Sequence, residues 1–263
     1  MKYLFKRALC AALPLCLVAT AASAEEHSAI ATGMAIPIGQ IASPSMPVPS
    51  RGRFVLVDAA SARLFMVENG NVVDSMKVIV GKPSAATPML RSTIYYATFN
   101  PYWNVPIDLA KSIIAPRVLK DGAAYLESHG YQVVSGFGRD AEVLPADSVD
   151  WQAVADGSQT VHVRQLPGPA NSMGRMKFGF QNDDGIFLHD TPKKELFDAS
   201  DRGLSNGCVR LEDAPRFARW LLGRDPATVA DATPEEHVAL PSGVPIMITY
   251  LSGSSQPQLA ALR

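Results

Sequence analysis

Cysteine is scarce in this chain of 263 residues, which contains only Cys10, Cys16 and Cys208. Three cysteines are too few for a disulfide-stapled small domain or for a zinc site with four thiolate ligands. Net charge is nearly absent as well, because 24 basic side chains face 25 acidic ones. A chain with so little net charge has no general attraction for nucleic acid or for an anionic membrane surface. We therefore expect no nucleic-acid partner.

Internal repeats and glycine-rich phosphate loops are also missing. Hydrophobic residues make up 47% of the chain and charged residues 19%, so the sequence predicts a packed core rather than wholesale disorder. The length suits one large domain or two small ones. No motif points to a bound nucleotide or metal ion, and we expect no cofactor.

Long apolar runs are missing after residue 24. Residues 1–24 follow the order of a secretory signal peptide, with three basic residues among the first seven, an apolar stretch, and small residues before Glu25. A membrane anchor is the alternative, but the stretch is shorter than the roughly 20 residues that a spanning helix needs, and Pro14 interrupts it. A lipoprotein signal at Cys16 is disfavoured, since proline and leucine precede it where small residues are expected. We predict cleavage before Glu25, a mature protein without a membrane span, and a location in the periplasm.

The predicted cleavage changes the charge and the cysteine count. Two cysteines and three positive charges leave with the signal peptide, so the net charge moves from −1 to −4 and only Cys208 remains. A lone thiol in an oxidising compartment is a liability unless it is buried or needed. The context of Cys208 therefore matters more than the number of cysteines.

The remaining chain predicts a mainly β fold with α insertions. Residues 25–51, rich in Ala, Ser and Pro without a period, indicate a flexible leader, and residues 253–263 indicate a loose tail. Asn69-Gly70 between two apolar runs predicts a hairpin turn. Short runs of β-type residues predict strands at 54–58, 63–68, 72–80, 91–99, 161–164, 177–181, 186–189 and 244–251.

Helical segments are predicted between these strands and near the end of the chain. Residues 107–119 and 123–129 look helical, although Pro116 interrupts the first, and they lie between predicted strands. The helical piece is therefore inserted into the β fold rather than appended to it. A later helix is predicted between a cap at Asp213 and a stop at Gly223. Its apolar face consists of Phe217, Ala218, Leu221 and Leu222.

Cys208 has neighbours that suit a nucleophile. Residues 205–207 before it include a small residue and a glycine, which permit a tight turn whose backbone N–H groups can converge on an oxyanion. A nucleophilic thiol also needs a base, and His189 stands 19 residues earlier at the end of an apolar run, where a strand end would position it rigidly. Arg210 could bind a substrate carboxylate or stabilise the turn. The structural alternatives are an inert buried cysteine and a satisfied core histidine.

The residues from 187 to 210 form an ordered series of motifs: Phe187-Leu188-His189-Asp190-Thr191-Pro192, Leu196-Phe197, Arg202 and Ser205-x-Gly207-Cys208-Val209-Arg210. This series resembles the catalytic motif of the L,D-transpeptidases, the YkuD-type domains. Segments 100–106 and 167–178 resemble the lid-bearing, YcbB-like subgroup of that family. The resemblance runs from about Arg53 to Tyr250.

The resemblance implies a fold and a set of roles. The fold would be a YkuD-like β-sandwich catalytic domain over 52–252, with a helical lid subdomain inserted at about 105–160. Cys208 would attack a peptidoglycan stem peptide, and His189 would act as general base and acid while the backbone carbonyl of Asp190 orients its ring. The remaining roles would fall to Gly207 as an oxyanion-hole amide, Arg210 as an anchor of the loop or substrate, and Tyr102, Trp103, Ser205 and Asn206 as substrate contacts.

The resemblance also implies partners. The donor and the acceptor would be peptidoglycan stem peptides, joined by 3-3 links or a variant such as 1-3 links. Carbapenem β-lactams would be covalent inhibitors, and neither a metal nor another cofactor would be required.

Two departures from the family pattern stand out. Most of the family has His two residues before the nucleophile, where this chain has Asn206, so no acid or base role carries over to that position. The chain also offers no room for the separate peptidoglycan-binding domain of the larger lid-bearing enzymes, so we expect the catalytic domain and lid to hold the substrate. We expect Asn171, Gly174 and Lys177 to shape a turn beside the site rather than to touch substrate.

Other functions fit less of the sequence. A sortase-like transpeptidase also uses His, Cys and Arg in that order, but with a much longer His–Cys separation. A papain-like hydrolase needs a His after Cys208, and the one candidate, His237, lies in an apparent surface loop. A non-catalytic wall-binding module leaves Cys208 and its glycine turn unexplained. Within the family, water in place of an amine acceptor would give an L,D-carboxypeptidase or endopeptidase.

Overall fold

The computed structural model describes residues 36–37, 48–138, 140–226 and 233–251. The predicted signal peptide (1–24), most of the predicted leader and the predicted tail (253–263) lie outside the described residues. None of the helices in the described ranges is long and apolar enough to cross a membrane.

Strands predominate over helices. The strands are β1 (Ile36–Pro37), β2 (Arg53–Asp58), β3 (Arg63–Glu68), β4 (Asn71–Gly81), β5 (Leu90–Phe99), β6 (Trp103–Asn104), β7 (Tyr131–Val134), β8 (Val143–Leu144), β9 (His162–Gln165), β10 (Met176–Phe180), β11 (Leu188–His189), β12 (Gly203–Ser205), β13 (Val209–Leu211) and β14 (Glu236–Thr249). The helices are α1 (Ile107–Leu109), α2 (Ala115–Asp121), α3 (Ala124–Ser128), α4 (Trp151–Asp156) and α5 (Ala214–Leu222), with a π-helical turn at Ala110–Ile114. The predicted mainly β class with a few helices is confirmed.

Eight of the described strands pair in a closed path, which we call the ring. Its order is β4-β13-β11-β10-β5-β14-β2-β3, and β3 pairs again with β4. The sequence predicted a β-sandwich, and the hydrogen bonding of the observed sheet closes on itself. The pairs β14–β2 and β11–β13 are parallel, whereas the other ring pairs are antiparallel.

The core of the ring follows from the alternation of side chains along each strand. Val55 and Val57 of β2 belong to the main core, whereas Leu56 between them joins a separate cluster on the other face. Helix α5 contributes to the main core, because the Phe217 ring packs edge to face against Phe178 with centroids 4.9 Å apart. Burial of an aromatic ring of this size stabilises the fold by about 1.5–3 kcal/mol.

Local sequence signals placed several elements correctly. Asn69 and Gly70 have φ values of 50° and 77°, as a two-residue hairpin turn between β3 and β4 requires. The side chain of Asp213 accepts a hydrogen bond from the Arg216 N–H at the start of α5, and Gly223 ends the helix with φ 68°. A cap of this kind stabilises a helix by about 1 kcal/mol.

Residues 103–165 form a second unit with its own sheet, which we call the insert. Strands β6, β9, β7 and β8 make a four-stranded antiparallel sheet, and helices α1–α4 pack with it around a separate core. That core consists of Val105, Ala110, Ile114, Ala115, Val118, Leu126, Val133, Trp151, Val154, Val161 and Val163. The insertion between β5 and β10 and its helices agree with the sequence, but the insert is not purely helical, because strands supply one side of this core.

The first predicted helix is broken near Pro116. A π-helical turn at Ala110–Ile114 separates α1 from α2, and Pro116 occupies the first turn of α2. Proline lacks an N–H and its ring collides with the carbonyl four residues earlier, so a regular α-helix cannot run through this position.

Two further expectations need correction. The final strand begins at Glu236 rather than 244, with a register shift between Ala239 and Val244 that the alternation alone did not reveal. Within the predicted flexible leader, Ile36–Pro37 pairs with β4 at Asn71–Val72, so this dipeptide is a short strand.

Candidate active site

Parallel pairing of β11 with β13 brings the predicted histidine and cysteine segments together. His189 lies opposite Arg210, and the Val209 N–H donates to the Phe187 carbonyl at 3.0 Å. Cys208 comes directly before β13 and is two residues from Arg210. Because alternate residues of a strand share a face, Cys208, His189 and Arg210 line one side of the ring.

His189 is held in one orientation and in one protonation state. Its side chain is buried, and Nδ1 lies 2.5 Å from the Asp190 backbone carbonyl, the contact expected from the sequence. Since a carbonyl can only accept a hydrogen bond, Nδ1 carries the proton and Nε2 is left as the proton acceptor. Burial, followed by the charge of Arg210, lowers the pKa of His189 to about 4, against the opposing effect of Asp190. The imidazole is therefore neutral at neutral pH.

Cys208 is a protonated thiol in the resting site. Burial raises the pKa of Cys208, while a backbone hydrogen bond with Phe187 and the charge of Arg210 act in the opposite direction. The thiol sulfur lies 3.9 Å from the carbonyl oxygen of Gly185. A neutral thiol beside a neutral imidazole forms thiolate by transferring its proton to a base, rather than by holding a standing ion pair.

The carboxylate of Asp190 is clamped from three sides. It accepts hydrogen bonds from the Arg175 N–H at 3.0 Å and from Lys194 Nζ at 2.7 Å. On the third side the backbone of Gly174, with φ 62°, packs closely against this side chain. A Cβ at this position would lie only 2.5 Å from a carboxylate oxygen. This clamp fixes the residue whose carbonyl orients His189, as expected for a glycine that shapes a turn beside the site.

Ser205 stabilises the turn before Cys208. Its hydroxyl accepts the Gly207 N–H at 3.1 Å and donates to the Cys208 carbonyl at 2.6 Å. Ser205 is 2% exposed, so its expected role as a substrate contact is wrong: its hydroxyl is used within the turn. The expectation that Gly207 offers a free amide is likewise corrected, because that N–H already has an acceptor. Asn206 is exposed at the tip of the turn.

Thr87, which the sequence analysis did not identify, also contacts this turn. Its buried hydroxyl donates to the Gly207 carbonyl at 2.8 Å across 120 positions of sequence. The neighbouring Lys82 N–H donates to the Ser205 carbonyl at 3.0 Å. No local pattern predicts these contacts, because they arise from the pairing of β12 with the end of β4, two segments far apart in sequence.

Arg210 places a positive charge beside both reacting groups. Its Nε is buried and has no hydrogen-bond partner among the described residues, and burial lowers the pKa of its guanidinium. A desolvated cation with an unused donor is suited to bind an anionic or polarised oxygen.

The contacts of Tyr102 and Trp103 lie where the insert joins the ring. The Tyr102 N–H donates to the Glu235 carboxylate at 2.6 Å, and the Arg164 guanidinium lies 4.7 Å from the centre of the Tyr102 ring. Trp103 packs against the core of the insert. These two residues therefore lie at the start of the insert, and the described part of the chain shows no contact between either of them and Cys208.

Asn171 shapes a turn beside the site as expected, whereas Lys177 lies on β10 rather than in a turn. Asn171 is 1% exposed and donates to the Pro101 carbonyl at 3.0 Å, which ties the turn before β10 to the start of the insert. Lys177 lies opposite His189 and forms an ion pair with Glu235 at 3.0 Å.

Outside this site, His237 is the histidine that a papain-like hydrolase would need. His237 is exposed and contacts Thr98, with Nδ1 2.9 Å from the hydroxyl. It lies on β14 rather than in the loop expected from the sequence. Within the described ranges, no group of three or more His, Cys, Asp and Glu side chains is arranged to hold a metal ion.

A model of the YkuD family, the L,D-transpeptidase catalytic domain, matches residues 52–229. The chain belongs to this family. A Haemophilus influenzae protein provisionally named an L,D-transpeptidase is 33% identical over 175 residues, which cover 66% of this chain and 35% of the relative. The matched region therefore spans about a third of that relative's length.

Solved structures of L,D-transpeptidases show lower similarity. One from Mycobacterium smegmatis has 16% identity and a TM-score of 0.35, covering 75% of this chain and 58% of its own. The E. faecium catalytic domain acylated by ertapenem has 10% identity and a TM-score of 0.34, covering 77% of this chain and all of its own. LdtMt1 in complex with imipenem has 15% identity and a TM-score of 0.35, covering 75% of this chain and 59% of its own.

Proposed function

We propose that this protein is an exported, periplasmic cysteine L,D-transpeptidase that acts on peptidoglycan stem peptides. Family membership supports the reaction class. The single observation that supports the mechanism is the His189 tautomer: Nδ1 is committed to the Asp190 carbonyl, which leaves Nε2 as the base on the side of the ring that Cys208 shares. The predicted signal peptide at residues 1–24, with cleavage before Glu25, supports the periplasmic location.

In the first half-reaction, His189 Nε2 takes the Cys208 proton as the sulfur attacks the carbonyl carbon after the L-centre of diaminopimelate. The C–S bond forms, the carbonyl electrons move to oxygen, and the tetrahedral intermediate then expels the terminal D-alanine. The departing amine takes its proton from the His189 imidazolium. The low pKa of His189 favours this second transfer, because an imidazolium in that site is a strong acid.

In the second half-reaction an acceptor amine attacks the thioester. His189 takes the amine proton, the new C–N bond forms, and the C–S bond breaks to regenerate the thiol. A second diaminopimelate amine would give a 3-3 link, and a variant acceptor a 1-3 link. Water in the same position would give a trimmed stem instead.

Charge on the carbonyl oxygen requires donors in a site that excludes water. The Cys208 N–H has no acceptor among the residues that the structure describes, unlike the Gly207 N–H. We assign the Cys208 N–H as an oxyanion donor, and the buried Nε of Arg210 as the group that anchors a substrate oxygen or carboxylate.

The insert fits the part of a lid, as in the YcbB-like subgroup. It joins the ring beside the catalytic strands through Tyr102, whose N–H binds Glu235, and Glu235 binds Lys177 next to His189. Tyr102 and Trp103 would line the substrate groove at this junction, and the exposed Asn206 would face the substrate at the turn.

The test is incubation of the purified protein with defined disaccharide tetrapeptides, followed by liquid chromatography and mass spectrometry. Crosslinked dimers and released D-alanine are expected from the wild type, and Cys208→Ala should yield neither while unfolding at the same temperature. Trimmed stems without dimers would indicate the carboxypeptidase reaction. Unchanged product from Cys208→Ala would reject the proposal.

A carbapenem offers an independent readout of the nucleophile. Imipenem is expected to add covalently to the wild type, and peptide mapping should place the adduct on Cys208. An adduct that persists in Cys208→Ala would contradict the assignment of the nucleophile.

A further inference from the structure

The loop between β4 and β5 reaches the catalytic turn through one buried side chain. Thr87, which is 1% exposed, accepts the Gly81 N–H at 2.8 Å and donates its own proton to the Gly207 carbonyl at 2.8 Å. Both partners require the hydroxyl, since one hydrogen bond uses its lone pair and the other its proton.

The Gly207 carbonyl and the Cys208 N–H belong to the same peptide unit. This unit is planar and trans, so the two groups point in opposite directions, and any contact that fixes the carbonyl also fixes the N–H. A hydrogen bond to the carbonyl also polarises the N–H at the other end of the unit, which makes it a stronger donor.

Gly207 needs such an external constraint. Its φ of 117° lies where only glycine is comfortable, and glycine rotates more freely than any other residue. Ser205 holds the peptide unit before Gly207 through the Gly207 N–H, and it holds the unit after Cys208 through the Cys208 carbonyl. The unit between them is held by Thr87.

The loop that carries Thr87 is itself rigidly placed. The Tyr250 hydroxyl donates to the Thr87 carbonyl at 2.8 Å. A Cβ on Gly81 would lie 2.6 Å from the Thr87 nitrogen, so the loop folds back closely on the end of β4. The hydroxyl is therefore presented to Gly207 from a fixed support.

We propose that Thr87 is a positioning residue for the oxyanion hole, whose hydroxyl aims the Cys208 N–H at the carbonyl oxygen of the substrate. The inference rests on the proposed function, in which the Cys208 N–H is an oxyanion donor. Thr87 does not touch substrate and does not alter the proton transfer between Cys208 and His189. It acts only on steps in which a carbonyl oxygen becomes negative.

The experiment compares two reactions of the same thiol. Acylation by imipenem passes through an oxyanion, whereas alkylation by iodoacetamide displaces iodide from a saturated carbon and forms none. Thr87→Val keeps the shape but removes the hydroxyl, and Thr87→Ser keeps the hydroxyl. Loss of an entire oxyanion donor costs about 10²–10³-fold in rate, so a misdirected donor should slow acylation by about tenfold or more.

We expect Thr87→Val to slow acylation and to leave the alkylation rate near that of the wild type, and Thr87→Ser to restore acylation. Thr87→Ala, whose smaller side chain leaves room for water at the unpaired groups, is the second variant and should behave like Thr87→Val. Thr160→Val is the matched control: it makes the same substitution at an exposed threonine of the insert, away from the catalytic turn, and should leave the ratio of the two rates unchanged.

A parallel fall of acylation and alkylation in Thr87→Val would overturn the inference, because the thiol or the fold would then be affected. Unchanged acylation in that variant, or no restoration in Thr87→Ser, would overturn it as well. Failure of the proposed function is visible separately, as a wild type that imipenem does not acylate at Cys208.

Discussion

The ring and the insert solve different physical problems within one chain. In the ring, the reacting groups are fixed by backbone contacts, such as the Asp190 carbonyl on His189 and the β11–β13 pairing beside Cys208. The insert has a separate core of its own and contributes none of these reacting groups. Just before the insert begins, the Tyr102 N–H donates to the Glu235 carboxylate, next to the start of β14.

The two units are therefore suited to different roles, chemistry in the ring and substrate binding in the insert. A buried, hydrogen-bonded site keeps its geometry while chemistry proceeds, because its groups need no reorganisation. A separately packed unit beside it can vary its surface without disturbing the site, which suits substrate selection. Changes in the ring should therefore alter the intrinsic reactivity of Cys208, and changes in the insert should alter binding alone.

The largest effect is expected from His189→Ala. Loss of the base should lower the turnover of muropeptides by about 10²–10⁴-fold, the usual contribution of general acid–base catalysis, with little change in KM. It should also slow alkylation of Cys208 at neutral pH. Steady-state kinetics and alkylation rates provide the measurement, with the exposed insert residue His129→Ala as control. Equal turnover in the two variants would remove His189 from the role of base.

The buried neutral His189 should make the ring sensitive to acid. Unfolded His takes up a proton near pH 6.5, but the native pKa is about 4, so stability falls as the pH drops through this window. The loss amounts to about 2 kcal/mol between pH 7 and pH 5. Denaturant titrations of the wild type and His189→Gln at both pH values should show this difference. An identical pH dependence in the variant would contradict the assigned protonation state.

Arg210→Gln should shift the protonation of the site without removing a reacting group. The charge of Arg210 lowers the pKa of both Cys208 and His189, so its removal should raise both. The pH profile of the iodoacetamide alkylation rate should therefore shift to higher pH. Arg219→Gln, an exposed charge on α5, is the control and should leave the profile in place.

The smallest effect should come from the insert. Tyr102→Leu removes the ring that stacks with Arg164 and should raise the muropeptide KM by about fivefold, equivalent to about 1 kcal/mol. The alkylation rate should stay the same, because no reacting group has moved. A change in alkylation without a change in KM would reverse the proposed division between ring and insert.

The sequence predicted the ring better than the insert. Runs of five to nine β-type residues predicted β2, β3, β4 and β5, since the buried side chains of these strands build the cores of the ring. In the insert, Trp103–Asn104 and Val143–Leu144 are strands of only two residues, too short for a period, and Tyr131–Val134 follows directly on a helix. These strands exist because they complete a sheet over the insert's core, which is a property of the assembled unit.

The lone thiol, its histidine and the glycine turn were determined by the order of residues alone, and with them the family. What tertiary structure decided is the state of each group. Burial sets the neutral thiol and, together with the charge of Arg210, the neutral imidazole, because a pKa depends on the surroundings of a group rather than on its neighbours in sequence. Likewise, Thr87 donates to the Gly207 carbonyl because the pairing of β4 with β12 and β13 brings Thr87 to a turn 120 positions away. Hydrogen bonds of that reach have no local signal in a sequence.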